Sequence, residues 1–216
     1  MATKAENRKI IFLARALMFL GNLFIVGAVL MLIFTFGPAI KEEIGYKINE
    51  LFQIKYSVEP FSSDRQITPA STDFGIVIPK LAANAPVFAN VNPFNKSEYL
   101  SVLKSGVAHA KGTALPGEEG NVYLFAHSTD SFLNVGRYNA VFYLIGKLEK
   151  GDEIDIFYKG ERFKYEVVEK KVVPSADIKY LRNTKNKEEM LTLQTCYPPG
   201  TTLKRLIVIS KKVAID

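Results

Sequence analysis

One cysteine, no tryptophan and only two histidines occur in the 216 residues of this chain. A lone thiol, Cys196, excludes an intrachain disulfide and any multi-cysteine zinc site. No long basic block with interleaved aromatics is present, so nucleic acid is not expected as a partner. There is no HExxH helix and no Walker-type loop, which removes two common metal and phosphate chemistries. Gly117-Glu118-Glu119-Gly120 reads most simply as a polar turn; as a calcium site it offers too few ligands. No metal and no cofactor is expected.

What is present is a chain 48% hydrophobic and 23% charged, with a net charge of +6. That balance is globular rather than disordered. The positive charge suits an anionic partner such as phospholipid headgroups or wall polymer, or else a lysine-rich solvated surface. Residues 1–15 hold Lys4, Arg8, Lys9 and Arg15 against Glu6 alone, and from Ala16 to Phe36 there is no charge. Twenty-one helical residues reach about 32 Å, close to a hydrocarbon core of about 30 Å. The basic flank places the N-terminus in the cytoplasm and the rest outside. The run exceeds an ordinary signal-peptide core, and no small-x-small cleavage pattern follows, so an uncleaved single-pass anchor is expected. Gly37-Pro38 is expected to break the span. Ile40, Ile44, Ile48 and Leu51 then recur at helical spacing, and the mixed Pro, Ser, Thr and charged stretch from Tyr56 to Thr72 reads as a linker. The organisation is therefore 1–15 cytoplasmic, 16–36 transmembrane, 37–72 juxtamembrane helix and linker, and 73–216 folded domain.

From Asp73 onward the texture is short strands and turns. Strand-like runs are Phe74–Ile78, Pro86–Val91, Asn121–Ala126, Glu153–Tyr158, Arg162–Val173, Leu191–Thr195 and Leu203–Val213. Asn95 opens a short helix closed by Gly106, and His109 falls in a Gly-flanked loop. Many short strands with turn signals point to a mainly β, closed or nearly closed barrel with short helices, behind one N-terminal transmembrane helix.

The stretch LTLQTCYPPGTTLKRLIVIS, Leu191 to Ser210, carries the chemistry. Pro198-Pro199 forbids a helix after Cys196, and Gly200 supplies a turn. In a hairpin centred near Gly200-Thr201, opposed residue numbers sum to about 401, which sets Cys196 across from Arg205. A thiol is a weak nucleophile until a base activates it and a donor holds the developing oxyanion. His127, at the end of an apolar strand, is the candidate base, and Arg205 is an always-charged planar donor. A lone cysteine is also compatible with a small buried hydrophobe, and Arg205 with a strand-edge surface residue. A papain-like arrangement would need Cys196 at a helix N-terminus, which the two prolines oppose.

These residues match a known pattern. Thr192-Leu193-Gln194-Thr195-Cys196, followed nine residues later by Arg205, resembles the TLxTC…R signature of the sortases. GVAHAKGTALPGEEGNVYLFAH, Gly106 to His127, resembles their GxxHxxGT…PGExGN…H segment, and Lys150-Gly151-Asp152-Glu153-Ile154 the segment that follows. Several spaced motifs in the right order are a specific signal. The resemblance implies an eight-stranded sortase-type barrel on a membrane anchor and a cysteine transpeptidase. Cys196 would be the nucleophile, His127 the general acid/base, Arg205 the oxyanion and substrate-positioning group, Thr195 a contributor to the oxyanion hole, and His109 a structural or tuning residue. It implies cleavage of an LPxTG-like sorting signal on secreted proteins. The acyl group would then pass to an amine, from a peptidoglycan precursor or a pilin lysine. Ala126 stands where many members have Gly, Ser128 where Arg is common, and no Tyr-Pro follows His109, so the subclass (D/E-like or related) stays open. The alternative is a catalytically idle barrel that binds peptides as an envelope scaffold.

Overall fold

A computed structural model describes residues 4–59, 62–128, 141–181 and 188–215. The chain divides into two compact units, Met1–Lys41 and Glu42–Asp216.

Helix α1 spans Lys4–Leu51. Gly37-Pro38 therefore does not end it, contrary to the sequence expectation. A proline inside a helix removes one main-chain hydrogen bond, and here that loss does not interrupt the element. Within α1, Ile11–Gly37 is a 27-residue apolar stretch with none of its apolar window buried. Apart from Arg15 and Asn22 its surface is largely hydrophobic, and at about 1.5 Å per residue it is long enough to cross a bilayer.

The second unit is a closed barrel of eight strands. Two short strands precede it, β1 (Tyr56–Ser57) and β2 (Arg65–Gln66), paired in parallel. The barrel strands are β3 (Phe74–Ile78), β4 (Ala83–Val91), β5 (Val107–Ala110), β6 (Gly120–Phe125), β7 (Glu153–Tyr158), β8 (Glu161–Pro174), β9 (Glu189–Tyr197) and β10 (Lys204–Val213). They close in the order β10-β8-β7-β3-β4-β5-β6-β9. Most neighbours are antiparallel, but β4–β5 and β6–β9 run parallel. Helix α2 (Lys96–Leu103) links β4 to β5 and begins as the sequence predicts, with the Asn95 side chain accepting from the Glu98 N–H.

Period-two alternation decides which residues fill the barrel. Leu191 and Leu193 on β9, Val122 and Leu124 on β6, and Leu206 and Val208 on β10 share one face by register and are buried. The opposite, outer face of the same three strands carries Thr192, Gln194 and Cys196, then Tyr123 and Phe125, then Arg205. At the β7–β8 connection Lys159 and Gly160 both have positive φ, 52° and 82°, the two-residue turn that matches strand twist.

Two local expectations change. His109 lies on strand β5, not in a loop, and is buried. Four residues, Val-Ala-His-Ala, are too few to display an alternation. The stretch read as a free linker is clasped to the barrel: the Ala70 N–H donates to Asn84 Oδ1 at 2.7 Å, Asn84 Nδ2 donates to the Thr68 carbonyl at 2.8 Å, and Glu59 pairs with Arg162.

Candidate active site

Strands β9 and β10 pair with every residue sum equal to 401, so Arg205 faces Cys196, Lys204 faces Tyr197 and Leu206 faces Thr195. On the other side of β9, β6 runs parallel with an offset of 69: Tyr123 lies beside Thr192 and Phe125 beside Gln194. The offset persists beyond the last paired residue, because the Ala126 N–H donates to the Gln194 carbonyl at 3.2 Å and Thr195 Oγ1 donates to the Ala126 carbonyl at 2.9 Å. His127 follows Ala126 directly and lines the same groove as Cys196. The three sequence candidates thus lie at or just beyond the ends of three neighbouring strands, β6, β9 and β10.

All three line one groove of about 440 Å³ on the outer face of the barrel wall. Tyr99, Leu100 and Leu103 of α2 and the preceding Phe94 give it an apolar side, while Ser175, Asp177 and Ile178, following β8, form part of its border. Cys196 and His127 are half-buried, so both are accessible from this groove. Residues 129–140, which follow Ser128, lie outside the described residues.

Arg205 is anchored at one corner of its guanidinium. Nη1 donates to the Thr202 carbonyl at 3.1 Å and to the Lys204 carbonyl at 3.0 Å. Among the described residues its other nitrogens make no hydrogen bond, leaving the remaining donors of the fork for a ligand.

Thr195 is placed differently from its neighbours. Its side chain is on the inner face of β9, buried, with the hydroxyl committed to Ala126. The hydroxyl therefore does not share a face with the Cys196 sulfur. His109 does not reach the groove lining. Its Nδ1 accepts from the Asn90 N–H at 3.2 Å, and its Nε2 sits 3.0 Å from both the Ala114 carbonyl and Thr113 Oγ1. A carbonyl can only accept, so Nε2 carries the proton and the ring is neutral. Burial is the main cause that holds its pKa below the ordinary value.

Two polar residues of the groove floor were not anticipated from the sequence. Tyr123, buried on β6, donates through its hydroxyl to Gln194 Oε1 at 2.6 Å. Burial pushes the Tyr123 phenol well above its usual range, so it remains a protonated donor. Their juxtaposition depends on a parallel pairing between strands about seventy residues apart, which no local pattern encodes. Among the described residues no group of His, Cys, Asp and Glu side chains is arranged to hold a metal.

Comparison with known proteins places this barrel in one class. The sortase domain family matches residues 76–213. The chain belongs to the sortase family. It is 32% identical over 139 residues to Sortase D of Bacillus subtilis (strain 168), a match covering 63% of this chain and 61% of that protein. Among solved structures it is similar to Sortase A from Corynebacterium diphtheriae, at 30% identity and a TM-score of 0.56, with 66% of this chain and 61% of that one covered. It is also similar to Sortase C1 of Streptococcus agalactiae, at 26% identity and a TM-score of 0.56, covering 66% and 68%.

Proposed function

We propose that this chain is a membrane-anchored cysteine transpeptidase acting on an LPxTG-like sorting signal of secreted proteins. The observation that carries this reading is that His127, Cys196 and Arg205 line one groove, with Arg205 paired across the hairpin from Cys196.

In the proposed reaction Cys196 attacks as a thiolate at the carbonyl of the threonine in the signal. Arg205 presents guanidinium N–H groups other than those on its anchored nitrogen to the oxygen on which negative charge develops. With its hydroxyl bound to Ala126, Thr195 is left with its main chain to serve the oxyanion. Protonated His127 delivers its proton to the leaving amine as the C–N bond breaks, and a thioacyl-enzyme and neutral imidazole remain. An acceptor amine, from a peptidoglycan precursor or a pilin lysine, sheds one proton to solvent and attacks the thioester. Its second proton passes to His127 as the amide forms and the C–S bond breaks, which restores the thiolate and the imidazolium. The apolar wall of the groove favours amine over water at this step.

Basic residues before the Ile11–Gly37 span favour a cytoplasmic N-terminus and an extracytoplasmic barrel, where secreted substrates arrive. The test is cleavage of a fluorogenic LPxTG-type peptide by the wild type and by Cys196→Ala and His127→Ala. Turnover lost in both variants supports the reading; peptide binding without turnover in the wild type replaces it with an idle scaffold.

A further inference from the structure

The outer face of β6 and β9 holds two polar cross-strand sets, and they are satisfied differently. In one, Thr192 Oγ1 donates to Asn121 Oδ1 at 2.9 Å, and Asn121 Nδ2 donates to the Tyr180 carbonyl at 3.1 Å, fastening the segment after β8. Those amide groups are used to hold the fold. In the other, the Tyr123 hydroxyl fixes Gln194 Oε1 at 2.6 Å, while the amide nitrogen of Gln194 makes no hydrogen bond among the described residues. Gln194 is half-buried and lines the groove together with Cys196.

A buried hydroxyl that pins one end of an amide also aims its other end. With the oxygen held by Tyr123, the NH₂ of Gln194 is presented to the groove as a pre-oriented donor. Gln194 precedes Cys196 by two residues on the same face of β9, a separation of roughly 7 Å along a strand. An extended peptide has the same repeat, so a ligand lying along β9 with its reacting carbonyl at Cys196 brings another backbone carbonyl, two residues away, over Gln194.

Building on the transpeptidase reading above, we propose that Gln194, held by Tyr123, is a substrate-binding residue that donates to a main-chain carbonyl of the sorting peptide two residues before the scissile bond's threonine. It sets the register of the peptide against the nucleophile. Because the contact reads backbone, it tolerates sequence variation at that position and demands an extended conformation.

The decisive variant is Gln194→Glu, which keeps the shape and still accepts from Tyr123 but has no N–H to offer. Steady-state cleavage of a fluorogenic LPxTG-type peptide by the full chain is compared with binding of the same peptide to Cys196→Ala backgrounds, and thermal unfolding is followed alongside. Gln194→Glu and Gln194→Leu are expected to raise KM, and to weaken binding, by about fivefold, the loss of one neutral hydrogen bond, with kcat little changed. Tyr123→Phe is expected to raise KM by less, because the donor survives but loses its aim, and Tyr123→Phe combined with Gln194→Leu should be no worse than Gln194→Leu alone. Wild-type KM and binding in Gln194→Glu, in a protein that cleaves the peptide, overturn this assignment alone. A wild type that neither binds nor cleaves it overturns the transpeptidase reading and this inference with it.

Discussion

The hydroxyl of Thr195 donates to the carbonyl of Ala126 across β9 and β6, at 2.9 Å and inside the barrel, so the residue before Cys196 is bonded to the residue before His127. The bond holds two strand ends level from the face opposite the groove. Thr195→Val keeps the volume but leaves the buried carbonyl without that partner. It is expected to lower stability in urea by about 1–3 kcal/mol and to reduce kcat more than KM, while Thr195→Ser restores most of both. A variant of unchanged stability shows that Ala126 is satisfied by another donor.

Arg205 gives a second prediction. One nitrogen of its guanidinium is tied to the hairpin carbonyls, and the others make no hydrogen bond among the described residues. Lysine supplies charge without a planar fork. Arg205→Lys should reduce kcat by about 100-fold, the effect of removing one oxyanion donor, with KM changed much less. Near-normal turnover in this variant removes the oxyanion role.

The parts of this site legible in the sequence are those set by local arithmetic. A turn at Gly200-Thr201 between two alternating runs fixes Cys196 against Arg205, and the hairpin register follows from counting. The apolar span and the strands from Phe74 to Ile78 and Glu153 to Tyr158 follow from run length and turn residues. What escaped has non-local causes. The short β5 shows no periodicity, and its His109 is buried only because β4 and β6 flank it. The pairing of β6 with β9 joins segments about seventy residues apart, so neither the Thr195–Ala126 bond nor the Tyr123–Gln194 bond is visible in any window. Residues Tyr56 to Thr72 have a linker's composition, yet bonds to Asn84 and Arg162 hold them.

His109 carries a pH prediction. Burial keeps its imidazole neutral in the fold, with a pKa below the ordinary 6.5. As pH falls, the unfolded chain takes up a proton on this residue before the folded one does. The stability contribution is therefore complete above about pH 6.5 and is lost below it, at up to about 1.4 kcal/mol per pH unit. His109→Gln should show a shallower decline between pH 6.5 and 5 in urea unfolding, and should retain peptide cleavage where His127→Ala has none. Parallel stability profiles for wild type and His109→Gln contradict the buried neutral imidazole.

The last prediction concerns the segment that follows α1. Arg162 Nε donates to Asp155 Oδ1 at 2.8 Å, and its Nη1 donates to Glu59 Oε1 at 2.5 Å. Asp155 is fully buried, its Oδ2 has no hydrogen-bond partner among the described residues, and burial pushes its carboxyl up despite the arginine beside it. Removing the cation leaves that carboxylate buried alone, so Arg162→Met should cost about 3–5 kcal/mol, and adding Asp155→Leu should recover most of it. Glu59 is far more exposed, and Glu59→Gln should cost under about 1 kcal/mol. A chain beginning at Glu42 keeps the whole clasp, whereas one beginning at Asp73 loses Glu59 and the Thr68 and Ala70 bonds to Asn84. The longer chain should therefore unfold at higher urea concentration, with the same cleavage activity in both at low denaturant. Equal midpoints would mean that the segment rests on the barrel without stabilising it, and that its contacts contribute no more than solvated surface pairs do.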